Sequence, residues 1–175
     1  VVLGYSSAFG LVEIGITAYA TEAGHPALAG VMLGLMSAGS VAGGLTYGSR
    51  GWRLPLARQF AVTLFMMGAG VALLALAANA WLFALLSVLA GVVMAPALTI
   101  QSMLVAKTAS SQHATEAFTW SSTGLLCGVG FGIAAGGWLI ERWSSNATFI
   151  AAAIAALSAG ALALALENGR AASPR

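Results

Sequence analysis

The sequence predicts an all-α, polytopic bundle of six membrane-spanning helices, and three observations carry that prediction. Of its 175 residues, 59% are hydrophobic and only 7% are charged, against roughly one quarter charged in a soluble domain. The mean hydropathy is +0.92. The apolar residues fall into six runs, each close to the ~20 residues that a helix needs to cross hydrocarbon.

The first run covers residues 1–20 and the second 27–47. The third, 56–78, closes on "NAW", which reads as a tight turn into a fourth run at 81–105. The polar patch "KTASSQHATEA" separates this from a fifth run at 118–140, and "ERWSSNAT" separates the fifth from a sixth at 149–166. Residues 167–175, "ENGRAASPR", read as a polar, frayed tail. Each run is too long for a strand and too apolar for a surface helix. In lipid the backbone must satisfy its own hydrogen bonds, so helices follow. Pro96, within "GVVMAPALTIQ", is expected to kink the fourth helix and leave a carbonyl near Val92 without its usual donor.

Counting alternate connections puts Arg50, Arg53, Arg58, Lys107, Arg170 and Arg175 on one side and only Arg142 on the other. Cytoplasmic connections carry the excess of Lys and Arg. Both ends of this segment are therefore expected in the cytoplasm, with the chain seated in the cell (inner) membrane and the lipid bilayer as its surroundings. The stretch "AGGLTYGSRGWRLPLAR", from Ala42, then becomes the cytoplasmic turn between helices two and three. A phosphate cradle is excluded there, because no GxxxxGK[ST] spacing is present and no strand precedes it. No nucleic-acid partner is expected.

"GGLTYGSRGWR", with Gly43, Gly44, Arg50 and Arg53, resembles a degenerate form of the glycine-and-arginine motif that joins the second and third helices of each half of major facilitator superfamily transporters. That pattern has an acidic residue after the leucine, and here Tyr47 stands about where it would be. Six spans with cytoplasmic ends extend the resemblance over nearly the whole chain, which looks like the carboxy-terminal half, helices seven to twelve. It implies alternating access with a missing amino-terminal half, a small-molecule substrate and, for an efflux antiporter, protons. The start, without an initiator Met or a leading charged segment, fits a piece of a longer chain and not a secretory signal.

Internal repetition bears on the same layout. "GSVAGGLTYGSRGW", from Gly39, resembles "GIAAGGWLIERW", from Gly132. The copies lie three helices apart, so they run in opposite directions, as inverted three-plus-three repeats require. Gly124, Gly128, Gly132 and Gly136 recur every four residues and form a bare ridge along the fifth helix. Such ridges let backbones approach closely in lipid; smooth contacts during gating are the alternative use. Polar residues concentrate on helices one, two, four and five, and helices three and six are nearly bare. In the family that the chain resembles, the first set lines the central cavity and the third and sixth helices stand outside.

Glu13 is the sharpest single residue. It lies more than two turns from either end of helix one, and an unpaired carboxylate at that depth costs about 2.5–3.5 kcal/mol on insertion scales. A carboxyl there suits proton uptake and release; a hydrogen-bonded Glu that merely packs the helix is the plainer reading. Tyr5, Phe9 and Thr17, at four-residue intervals around it, are expected to line a substrate cavity with Gln101, Trp120 and Thr123. Trp120 could equally anchor the interface, as Trp52, Trp81, Trp138 and Trp143 are expected to do. Lys107 and Glu116 read as solvated charges.

Catalysis finds little support. The chain has no Asp, His25 and His113 fall on opposite sides, and no HExxH or clustered metal-ligand set exists. No metal or cofactor is expected. Cys127 alone makes no intrachain disulfide. "NAT" at Asn146 matches a glycosylation sequon, but an N-cap for the sixth helix is the more economical reading. The function expected is that of a secondary active transporter, with proton-coupled efflux of an amphipathic small molecule expected from the apolar, aromatic and methionine-rich lining. A non-transporting membrane subunit is the rival. An intramembrane protease would need a GxSG nucleophile and a His in a neighbouring helix, and neither is present.

Overall fold

The computed structural model describes residues 1–110 and 112–172, with the side chains of 170–172 left undescribed. It is helical along almost its whole length: α1 (Val2–Glu22), α2 (Leu28–Gly48), α3 (Leu56–Leu74), α4 (Ala80–Gly91), α5 (Met94–Thr108), α6 (Ala114–Arg142) and α7 (Ser145–Ala172). With Ala80–Thr108 taken as one span, six helices among the described residues are long and apolar enough to cross a membrane.

The fourth span is broken where Pro96 removes a donor. Val92 and Val93 interrupt the helix, and the next regular bond is the Ala97 N–H to the Val93 carbonyl, 3.0 Å. α1 ends by a glycine-dependent closure. Gly24 takes φ +77°, and the N–H groups of Gly24 and His25 return to the carbonyls of Thr21 and Ala20, the Schellman pattern.

Several boundaries differ from those expected: α3 ends at Leu74, not 78, and α6 starts at Ala114, not 118. The sixth span starts at Ser145, not 149, and the connection shrinks to Trp143 and Ser144. Asn146 is exposed and lies inside α7; the N-terminus is capped from elsewhere. The Ser145 N–H and hydroxyl both donate to the Glu22 carboxylate, at 2.9 and 2.5 Å, which places a negative group at the positive end of the helix dipole. At the other end, residues 167–172 are not a frayed tail but the last turns of α7. At their start Glu167 forms an ion pair with Arg58, 3.7 Å. Residues 173–175 lie outside the described residues.

The helices pack as an inverted repeat whose copies can be matched residue by residue. Where α6 crosses α1, a Cβ on Gly132 would fall on the Ser7 carbonyl, one on Gly10 on the Val129 carbonyl, and one on Gly136 against Leu11 and Ile14. Where α2 crosses α4, a Cβ on Gly39 would fall on the Val88 carbonyl, one on Gly91 on the Met36 carbonyl, and one on Gly43 on the Val92 carbonyl. The spacings are the same in both crossings, so α1 maps onto α4–α5 and α6 onto α2, with Gly132 equivalent to Gly39 and Gly10 to Gly91. The third pair maps onto itself more loosely: a Cβ on Gly68 of α3 would meet the Leu157 side chain first and the Ala153 carbonyl at 3.2 Å, and one on Gly160 of α7 would have ordinary contact with the Ala61 carbonyl at 3.4 Å. Backbone-to-backbone approach of this kind is what holds helices together where lipid is as apolar as leucine. Of the expected glycine ridge, Gly128, Gly132 and Gly136 are buried, whereas Gly124 has ordinary room beside Val2.

The core lies between α1, α3 and α7, where Tyr5, Val12, Leu64, Met67 and Phe149 are sealed from solvent. α2 and α6 each bury only a narrow stripe, Met32, Met36, Gly39 and Gly43 on the first and three glycines on the second. Most of their remaining surface is open.

Candidate functional site: an open groove around Glu13

α1, α2, α5 and α6 together leave a groove of about 590 Å³ between them. Phe9 and Glu13 reach it from α1, Ser37 and Ser40 from α2, Met94 from α5 and Leu125 from α6. Each has a local reason to face it. The glycines and small side chains that seat α2 on α4 and α6 on α1 turn the larger side chains of α2 and α6 outward. On α5 the break at Val92–Val93 resets the helix just before Met94. By the repeat correspondence Met94 is the equivalent of Glu13, so the two positions flank the groove from matching helices.

Glu13 sits in the middle of α1 and is exposed to this groove. Its backbone carbonyl accepts from the Thr17 hydroxyl, 3.0 Å. Among the described residues its carboxylate has no hydrogen-bond or ion-pair partner within the chain. Ser37 is occupied with the Leu33 carbonyl, 2.9 Å, one turn back. The groove is therefore an apolar, methionine-bearing surface with one unpaired ionisable group at mid-helix.

The residues expected to form one cavity do not converge. Only Phe9 joins Glu13. Tyr5 is fully buried in the core, edge-on to Phe9 at 5.6 Å and to Phe60 at 5.5 Å. Thr17 faces a separate hollow beside Gly137 and Glu141. The reason is rotational. At 3.6 residues per turn, twelve residues accumulate about 120° of drift, so Tyr5 and Thr17 lie on different sides of Glu13. Gln101 is buried at the other end of α5 and donates to Ser121 of α6, 2.6 Å. Thr123 lines a hollow along α6 itself, and Trp120 projects outward, 70% exposed. The apolar groove positions not anticipated are Leu33, Met36 and Val41 of α2, Met94 and Leu98 of α5, and Leu125 and Val129 of α6. None of them had a signal in the sequence: the match of Met94 to Glu13 rests on the Gly10 and Gly91 contacts at the crossings.

The turn after α2 is built without an acid. The Tyr47 hydroxyl donates to Gln59 of α3, 2.6 Å, and Gln59 in turn donates to the Leu54 carbonyl, 2.5 Å. Trp52 donates to the Tyr47 carbonyl, 2.9 Å, and stacks on its ring at 5.3 Å. Tyr47 thus ties the turn to α3 by neutral hydrogen bonds. Gly43 and Gly44 press on Val92 and Ala95. Arg50 borders a hollow with Trp52 and Lys107, and Arg53 is exposed. Arg50, Arg53, Arg58 and Lys107 all belong to one end of the bundle, called the basic end below. No cluster of potential metal ligands occurs among the described residues.

The family model of the Major Facilitator Superfamily matches residues 1–175. The chain belongs to the Major Facilitator Superfamily. It is a multi-pass membrane protein, a membrane transporter of the major facilitator type. No curated protein and no solved structure matches it.

Proposed function

We propose that this major facilitator chain is the carboxy-terminal half of a proton-coupled exporter of amphipathic small molecules. It works by alternating access against an amino-terminal half that closes the other side of the groove. The observation that carries the reading is Glu13, an ionisable group without a partner at mid-span, facing an otherwise apolar surface. Intramembrane carboxyls facing a cavity are characteristic of proton relays. The largely uncharged lining favours an amphipathic solute over a sugar phosphate or a dicarboxylate. The excess of basic residues at one end supports a cytoplasmic placement of that end.

The test is paired transport in vesicles, with and without an imposed pH gradient, by the protein with its natural flanking sequence. Glu13→Gln keeps shape and hydrogen bonding but cannot titrate. Gradient-driven extrusion should fail, while exchange of substrate down its own gradient should survive. Retained pH-driven transport would remove Glu13 from the coupling, and absence of any solute movement by the wild type would favour a structural subunit.

A further inference from the structure

α2, α3 and α5 border a hollow of about 470 Å³ at the basic end, and it shares no residue with the groove. Arg50 borders it from just past the end of α2, and Lys107 from the last turn of α5. Both are exposed, and among the described residues neither forms an ion pair within the chain. No carboxylate is among the residues that line the hollow. Two positive charges from separate helices thus border one space without a counter-charge. The first turn of α3 closes another side, through Leu56 and Gln59. α3 follows Pro55 with no side chain capping it, so the positive end of its dipole adds to the same field.

The inverted repeat contains a filled copy of this hollow. Continued along the helices from the glycine crossings, the correspondence sets Thr99 and Met103 of α5 at the positions of Ala18 and Glu22 of α1, and Tyr47 and Gly48 of α2 at those of Ile140 and Glu141 of α6. The first set lines the hollow at the basic end, and the second lines one at the opposite end. The charge is reversed between the copies. At the opposite end Glu22 brings a carboxylate to the start of α7, where the Ser145 N–H and hydroxyl donate to it. α3 is the counterpart of α7, and Met103, the counterpart of Glu22, brings it no charge. One copy therefore carries its own anion at a helix start, and the other has the uncapped start and two cations beside it.

We propose that the hollow at the basic end binds the phosphate of an anionic phospholipid. The phosphate lies between Arg50 and Lys107 at the start of α3, in the place that the Glu22 carboxylate takes in the other copy. Its acyl chains run over Leu54 and Met103, each 45% exposed. Free phosphate shares the chemistry of the head group, but this apolar margin suits a lipid, which the bilayer supplies directly to basic pockets between spanning helices. With no carboxylate in the lining to receive an ammonium group, a head group of net negative charge is selected over a zwitterionic one. At the ~30 Å³ that a water molecule occupies in the liquid, the space suits roughly fifteen non-hydrogen atoms, about a glycerophosphoglycerol head group.

The test is equilibrium binding of tritiated dioleoylphosphatidylglycerol to the purified protein with its natural flanking sequence, in dodecyl maltoside micelles. Saturable binding is expected, and neither dioleoylphosphatidylcholine nor inorganic phosphate at the same concentration should displace it. Arg50→Gln and Lys107→Gln should each lower affinity about tenfold, as the loss of a hydrogen bond to a charged group does. Arg53→Gln, which removes an exposed cation of the same end that does not line the hollow, should bind as the wild type. Met103→Glu supplies the carboxylate of the other copy, and it should lower affinity at least tenfold while the melting temperature without lipid holds or rises. Unchanged binding in Arg50→Gln and Lys107→Gln would overturn the site, and so would an equal loss in Arg53→Gln, which would assign the attraction to the whole basic end. Unchanged binding in Met103→Glu would overturn the match to Glu22. Displacement by inorganic phosphate would make this a site for free phosphate and overturn the lipid, and equal competition by phosphatidylcholine would overturn the selection for charge. Should Met103→Glu fail to fold, the Arg50, Lys107 and Arg53 variants decide.

Discussion

Replacing Gly132 by alanine puts one methyl group where α6 lies on α1. That Cβ would stand 2.9 Å from the Ser7 carbonyl carbon and 3.0 Å from its Cα, where ordinary contact begins near 3.4 Å. The obstacle is backbone, which cannot rotate away as a side chain can, so the two helices must part. Overpacking of this kind costs about 1–3 kcal/mol. Gly130, on the same helix, has nothing within 4 Å of the same added atom, and alanine there gains up to ~1 kcal/mol of helix propensity. The two variants should therefore differ by roughly 2–4 kcal/mol in unfolding free energy. Gly39→Ala, at the equivalent place in the other repeat, should behave like Gly132→Ala, because the Val88 carbonyl there takes the part of Ser7. The assay is unfolding of the purified protein by dodecyl sulfate in mixed micelles, followed by loss of helical circular dichroism. Equal stability of the Gly130 and Gly132 variants, or a neutral Gly39→Ala beside a damaging Gly132→Ala, would refute the close-packed repeat.

Two further outcomes are expected. Glu22→Ala removes the cap of α7 and should cost about 0.5–2 kcal/mol, with faster amide exchange at Ser145 to Phe149 than in the parent; unchanged exchange there would mean that the carboxylate does not hold the helix end. Single cysteines at Ser49 and Ala23, both exposed, should react with a membrane-impermeant maleimide from opposite sides of the membrane, and reaction of both from one side would overturn the six-span topology.

The spans and the inverted repeat were legible in the sequence because both are one-dimensional. Hydropathy marks a helix that must stand in lipid, and GxxxGG recurs in the two runs whose backbones approach a neighbour. The faces of the helices were not. Tyr5 and Thr17 share a four-residue spacing with Glu13, yet packing against Phe60 takes the first into the core and helical drift carries the second into another hollow. Nothing local to "ERWSSNAT" shows that Ser145 is capped by Glu22, 123 residues away in sequence. Gln101, expected beside Glu13, instead lies at the far end of α5, where it donates to Ser121 of α6, a pairing that spacing along the chain does not show.

The interruption at Val92 and Val93 bears on where this wall of the groove is stiff and where it is not. Bending an intact spanning helix means stretching hydrogen bonds that hydrocarbon cannot replace, so most of the frame is stiff. At this one level Pro96 has removed the bond in advance, and the Val92 carbonyl rests against Gly43 instead of an amide. Compliance is thus concentrated at a single joint, just before Met94. On one side of it α4 is seated on α2, and on the other α5 brings Met94 and Leu98 to the groove.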